Sequence, residues 1–270
     1  MDIYRGPFLI IVIAFVLLEA AYTLFIRHQT YDWKASAASF GVALGNLLLR
    51  PLTGGLFLLV FPYVASFAPW TFTVSSPWTW IAGFLCVEFV YYWHHRFAHT
   101  VRWFWASHSV HHTANSFTLP AAIRLSWTNV LSGEWVMYLP LLLIGFPPVV
   151  VGGLISLNLI YQFFLHTEVS PRWGMLEYVL NTPAHHRIHH ASNAAYIDRN
   201  FGGVLIVFDR LFGTFAKDDG HEAVRFGLTR PVTSNNPLVI SLNEWARMAS
   251  DLTKVRRPSE IWQTLFGRPQ

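Results

Sequence analysis

The stretch EFVYYWHHRFAH, residues 88–99, governs how the rest of the chain is read. It closes an apolar run, 80–98, that can cross a bilayer as a helix at about 1.5 Å per residue. On that helix Glu88, Tyr92, His95 and His99 follow i, i+4, i+7 and i+11, which is one face. The pattern predicts a polar stripe inside a membrane helix, with two imidazoles one turn apart at its end. Two further stretches, HSVHH at 108–112 and HHRIHH at 185–190, each set three histidines at i, i+3, i+4: His108, His111, His112 and His186, His189, His190. His166 ends another apolar run, and His185 and His94 stand beside members of these sets.

The whole chain agrees with a membrane reading. Of 270 residues, 53% are hydrophobic and only 13% charged, against about 25% charged in soluble domains. Disorder, collagen and a polar solenoid are excluded by the same figures. The apolar stretches 8–26, 51–68, 80–98, 127–145 and 147–165 predict about four transmembrane helices, and 35–49 an interfacial or partly inserted one. The stretch 8–26 lacks a basic leader and a small-residue cleavage site, so it is read as an uncleaved helix. Residues 167–270 are polar and predict a helical cytoplasmic lobe. The expected fold is an all-α integral membrane protein, one domain over 1–270, with its histidines at one membrane face.

Charge sets the expected orientation. The loop at 69–79 and the turn at 145–148 contain no Lys or Arg, whereas Arg27, Lys34, Arg96, Arg102, Arg124 and the basic residues from Arg172 onward fall at the other end. That asymmetry predicts the histidine end and the C-terminal lobe in the cytoplasm and the N-terminus outside. The net charge of +4 is too slight to imply nucleic acid. Cys86 is the single cysteine, so neither an internal disulfide nor a thiolate metal site is available.

A lone histidine on an apolar face is ordinarily a hydrogen-bonded core residue. Two triads and a pair, all at helical spacing, point instead to metal. Imidazole clusters suit Zn, Cu and Fe, and eight or more exceed one coordination sphere, so two ions are expected. A structural zinc site takes four ligands, and neither HExxH nor CxxCH occurs in the chain. Asn158, Gln162 and His166 form a second polar stripe, leading from a span toward the histidines, or else they bond between helices. Glu88 reads as a support for His95 or as a cavity residue. Glu19 and Glu134 have no partner visible in the sequence.

Several motifs in order, EFVYYWHHRFAH, WASHSVHH, LIYQFFLHTEV, LNTPAHHRIHH and DRNFGGVLIVFDRLFGTF, resemble the fatty acid hydroxylase / sterol desaturase superfamily over roughly 75–230. From LIYQFFLHTEV through GLTRPV the chain is most similar to alkylglycerol monooxygenase-type members. The resemblance implies a non-haem di-iron centre, with Zn able to take its place in a purified sample. It implies ligands at His95, His99, His108, His111, His112, His186, His189 and His190, with His166 and His185 matching further motif histidines. It also implies Asp198 and Asn200 as supporting residues, beside the Glu88 that the helical face already suggests, and a bacterial inner membrane as the location. Thr100 stands where those monooxygenases carry an acidic residue, and TANSFT at 113–118 replaces an acidic stretch.

The expected activity is O2-dependent hydroxylation of a C–H bond in an alkyl, acyl or sterol-like membrane lipid. The alternatives are a sterol or fatty-acyl desaturase on the same centre, and a non-catalytic metal-binding membrane protein or zinc carrier. A carrier would string its ligands through several spans, whereas here they gather at one face. Neither a GxGxxG between strand and helix nor a CxxC is present, so electrons are expected from a separate redox partner or soluble reductant, including a reduced pterin. Arg247, Lys254, Arg256 and Arg257 offer a basic face to such a partner or to anionic lipid.

Overall fold

The computed structural model describes residues 5–269. Helix α1, Arg5–Ala21, runs into a π-helical turn, Tyr22–Ile26. Helix α2, Trp33–Ala65, starts where Asp32 Oδ1 accepts the Ala35 N–H at 2.9 Å. It absorbs both the expected interfacial segment 35–49 and the expected span 51–68. Pro51 lies inside it, because a proline removes one hydrogen bond without supplying a stop when the flanking residues still form helix. Helix α3, Pro77–Thr100, carries the first histidine motif. Val101 is extended (φ −115°, ψ 117°) and turns the chain so that α4, Arg102–His112, folds back on α3.

The stretch 127–145 departs from the expected single helix. It contains α5, Asn129–Ser132, a 3₁₀ turn, Glu134–Tyr138, and α6, Leu139–Leu143. Gly133 breaks the run with φ +79°, a conformation that an L side chain resists. Side-chain donors hold the broken stretch in place: Trp103 Nε1 donates to the Ser132 carbonyl and Trp135 Nε1 to that of Val130, each at 3.1 Å. Average hydropathy is blind to both effects. Helix α7, Pro148–Phe163, follows, and its 16 residues cover about 24 Å. Among the described residues no helix is long and apolar enough to cross a membrane. Trp, Tyr, His and Glu lower the apolar character of α3, and a π turn interrupts the first apolar run.

Two clusters hold the helices together. Phe61, Val87, Tyr138, Leu142, Val150 and Leu154 join α2, α3, α6 and α7. At the other end Val42, Val110, Leu228 and Ile240 join α2 and α4 to α10, Pro237–Leu252. The buried Arg102 guanidinium reinforces that junction through Glu244 Oε1 at 3.1 Å and Asp251 Oδ2 at 2.7 Å. Far from the histidines, the loop after α2 meets the turn before α7: Phe72 N–H donates to the Gly145 carbonyl, and Trp70 Nε1 to that of Ile144. The two loops free of Lys and Arg thus lie together.

The lobe after α7 contains α8, Pro183–His189, α9, Val207–Leu211, and α11, Pro258–Phe266. Its central loop is pinned to α3. Glu88 Oε2 accepts the N–H groups of Val204 and Leu205 at 2.8 and 2.9 Å, and Oε1 accepts Asn158 Nδ2. A side chain at Gly203 would run into the Asn158 amide, so this approach requires glycine. Glu88→Ala leaves two buried donors and one partly buried donor without an acceptor. It is expected to lower unfolding stability by about 3 kcal/mol or more, measured by thermal melting in detergent, with Glu88→Gln intermediate.

Candidate metal centre

The helices deliver nine imidazoles to one place. His95 and His99 come from α3, His108, His111 and His112 from α4, His166 from just beyond α7, and His186, His189 and His190 from α8 and its end. They fall into two sets, His95, His99, His108, His112 and His189, and His111, His166, His186 and His190, each with its ligand atoms within 4.8 Å of one another. The sets adjoin: the His112 and His190 rings stack at 4.2 Å.

The nitrogens are oriented as ligands. His95 Nδ1 faces the Phe201 carbonyl at 2.8 Å, His166 Nδ1 that of Gln162 at 2.7 Å, and His189 Nδ1 that of Arg199 at 2.9 Å. A backbone carbonyl accepts only from N–H, so in these rings the proton sits on Nδ1 and the Nε2 lone pair faces inward. Inside the sets Nε2 meets Nε2: His95 and His108 at 3.1 Å, His108 and His112 at 3.3 Å, His111 and His166 at 2.9 Å, His166 and His186 at 3.0 Å. Two ligands about 2.1 Å from a common ion and about 90–105° apart are separated by these same distances. Nε2 of His99, His189 and His190 is buried without a hydrogen-bond partner among the described residues. The donor set therefore fits two ions.

Burial keeps the rings in the ligating form. It lowers the pKa of His189 to about 4 and holds His108, His111, His112, His186 and His190 well below the ordinary histidine range. Phe117 and Phe201 seal the sides, with Phe117 5.2 Å from the His190 ring and Phe201 5.3 Å from that of His99.

Not every expected residue joins. His185 stands outside both sets, 5.2 Å from the Phe215 ring. Asp198 Oδ1 lies 3.8 Å from His99 Nδ1, beside the site but beyond hydrogen-bond length. Asn200 serves the loop, donating to the carbonyls of His185 and Ala216. Glu88 holds backbone and touches no histidine of the centre. The backbone is left-handed at Asp198 (φ 59°) and Asn200 (φ 57°), which Asp and Asn tolerate. The carbonyls that follow, of Arg199 and Phe201, are the ones His189 and His95 use. His94 belongs to another group, 3.3 Å from both Glu134 and the Tyr138 hydroxyl.

Sequence reading missed Asp209. Its carboxylate accepts the N–H groups of Phe201 and Gly202 and the Thr214 hydroxyl, all at 2.7 Å, and so fixes the carbonyl that orients His95. The signal was present in the VFDRLFGT stretch, where a lone acid sits among apolar residues.

Two adjoining imidazole sets, each the size of one coordination sphere, define a helical histidine di-metal protein. The chain belongs to the fatty acid hydroxylase family, whose model matches residues 80–214. It is 44% identical to human alkylglycerol monooxygenase over 201 residues, 74% of this chain and 40% of that protein. The Danio rerio alkylglycerol monooxygenase is 47% identical over 61% of this chain and 35% of its own length. An ornithine lipid hydroxylase of Rhizobium tropici is 28% identical over 56% and 46%. The chain thus spans about 40% of the length of the human relative. No solved structure matches it.

Anaerobic reconstitution is expected to give about two metal ions per chain by elemental analysis, and a reproducible value of one would refute the two-ion arrangement. Acid should unfold the metal-free protein. A histidine held at about 4 when folded and near 6.5 when unfolded takes up its proton only on unfolding between those values. Stability is full above about pH 6.5 and is lost as pH falls toward 4, read as the melting temperature of chelator-treated protein.

Proposed function

We propose that the chain is a membrane di-iron monooxygenase that uses O2 to hydroxylate a C–H bond of a membrane lipid. The supporting observation is a cavity of about 150 Å³ that opens directly on His95, His108, His111 and His166, with Leu125, Leu159 and Phe163 on its apolar side and Arg124, Asn129, Glu134 and Gln162 among its polar lining. Leu159 also belongs to an outward face of α7 with Leu157 and Ile160, and Leu48, Leu52, Leu58 and Leu59 of α2 are more than 70% exposed, surface that water would not favour. A chain that buries Glu88, Asn158 and Gln162 inside and shows leucine outside is arranged for lipid.

In this reading His95, His99, His108, His112 and His189 hold one iron, and His111, His166, His186 and His190 the other. Ferrous iron held by these residues would supply electrons for the activation of O2 against an unactivated C–H bond. The protein's part is to orient and exclude. The carbonyls of Phe201, Arg199 and Gln162 fix the rings, and Asp198 favours the proton on His99 Nδ1. Phe117 and Phe201 keep water from the sides. Tyr91, whose hydroxyl donates to Gln162 Oε1 at 2.8 Å, closes the cavity on the α3 side. The whole of 1–270 acts as one unit with about four membrane-embedded segments, its centre on the cytoplasmic side of a bacterial inner membrane. Its electrons come from a separate donor, a reduced pterin included.

Lipid extracts from cells with and without the protein decide the reaction. A lipid gaining one oxygen supports hydroxylation, a loss of two hydrogens supports desaturation, and no change with iron and reductant present refutes both. His108→Ala and His111→Ala should abolish the product while the protein stays in the membrane fraction. Reporter fusions at Phe72 and after Gln270 should fall on opposite sides of the membrane, and the same side for both would overturn the orientation.

A further inference from the structure

Glu19, which the histidine centre does not use, lies against a cavity of its own. The residue is only 7% exposed. Its Oε2 accepts the Leu119 N–H at 2.8 Å and the Tyr31 hydroxyl at 3.4 Å. Its Oε1 is buried without a hydrogen-bond partner among the described residues. A carboxylate oxygen so placed calls for a donor, because burying it unpaired is costly. Glu19 lines a cavity of about 100 Å³ set between the π-helical turn Tyr22–Ile26, residues 116–118 and residues 167–169.

The lining charges narrow the ligand. Three carboxylates, Glu19, Asp32 and Glu168, meet one guanidinium, Arg27. That balance favours a cation. These carboxylates do not converge as a metal ion requires, since the groups close enough to hold one among the described residues are the two histidine sets. A quaternary ammonium has no N–H to offer Oε1. A primary ammonium supplies both the charge and the donor, in a charge-assisted bond.

We infer that this cavity binds the primary ammonium headgroup of a membrane phospholipid, with Glu19 Oε1 accepting its N–H and Arg27 at the rim meeting its phosphate. The surroundings supply the lipid. Leu17 and Leu18 directly precede Glu19, Phe25 and Ile26 directly precede Arg27, and all four are more than half exposed. Acyl chains would lie along them. The site is separate from the centre. Phe117 lines the cavity and lies 5.6 Å from the His166 ring and 5.2 Å from that of His190, so one aromatic ring divides the two. A headgroup held here ties α1 to the segment that carries Phe117 and to the chain just beyond His166. The inference needs the chain to lie in a membrane. It needs neither iron nor oxidation.

The test uses the full chain in nanodiscs of phosphatidylcholine mixed with equal phosphatidylethanolamine or phosphatidylglycerol. Lipid retained on the released protein is counted by native mass spectrometry. The wild type is expected to keep phosphatidylethanolamine over either other lipid by about tenfold, the worth of one charge-assisted hydrogen bond. Glu19→Gln removes the charge but keeps an oxygen for the Leu119 N–H. Thr30→Trp fills the cavity from an exposed lining position and leaves Glu19 intact. Both variants are expected to lose the preference, with melting temperature and metal content kept. Should Glu19→Gln not fold, Thr30→Trp decides alone. A folded variant that keeps the preference overturns the inference, and so does a wild type that prefers phosphatidylglycerol or shows no preference. Ethanolamine is the remaining arm: if it raises the melting temperature as much as phosphatidylethanolamine does, the occupant is a soluble amine and the lipid assignment falls. Failure of the oxygenase reading is distinct, because lipid is then retained selectively and none is oxidised.

Discussion

Nine imidazoles buried together must keep their lone pairs apart or share them with a cation. Neighbouring Nε2 atoms stand 2.9 to 3.3 Å apart, and burial disfavours the charged form of these rings at neutral pH, so the set remains a cluster of neutral donors. Everything around the site answers to that demand. Backbone carbonyls take the Nδ1 protons of His95, His166 and His189, aromatic rings close the sides, and the helices that bring the histidines are locked by contacts made elsewhere.

The locking is layered. His95 is oriented by the carbonyl of Phe201, Phe201 is held by the carboxylate of Asp209, and Asp209 is held by Thr214, whose hydroxyl also meets Tyr92 on α3 at 3.0 Å. The circuit therefore closes on the helix it began from, three residues away from His95. Glu88 ties the same loop to α3 one turn earlier. A change in this loop consequently acts on the metal through geometry, without touching a ligand.

The parts legible in the sequence were those with a side-chain period. The i, i+3, i+4 triads, the His95–His99 pair and His166 at the end of its polar stripe all come together. His185 shows the limit of that reasoning: it sits in the densest motif, yet the short helix turns its ring toward Phe215. The carbonyls of Gln162, Arg199 and Phe201 leave no mark in a sequence, since every residue has one. The stretch 127–145 looked like a span because hydropathy averages over a window, and one glycine in a left-handed conformation is invisible to an average. The partners of Glu134 and Glu19, His94 for one and Tyr31 with the Leu119 N–H for the other, lie too far along the chain for any local pattern to show.

The loop that supplies the carbonyls for His95 and His189 has a bearing on how the molecule is made. Five of the nine imidazoles are in place by residue 112, and the acceptors that orient two of the rings arrive only with residues 199–201. On the ribosome the first half of the site waits through nearly ninety residues of synthesis with mobile rings and no fixed tautomer. The ring orientation that His95 and His189 need as ligands therefore exists only once the loop at residues 199–201 has closed over the helices.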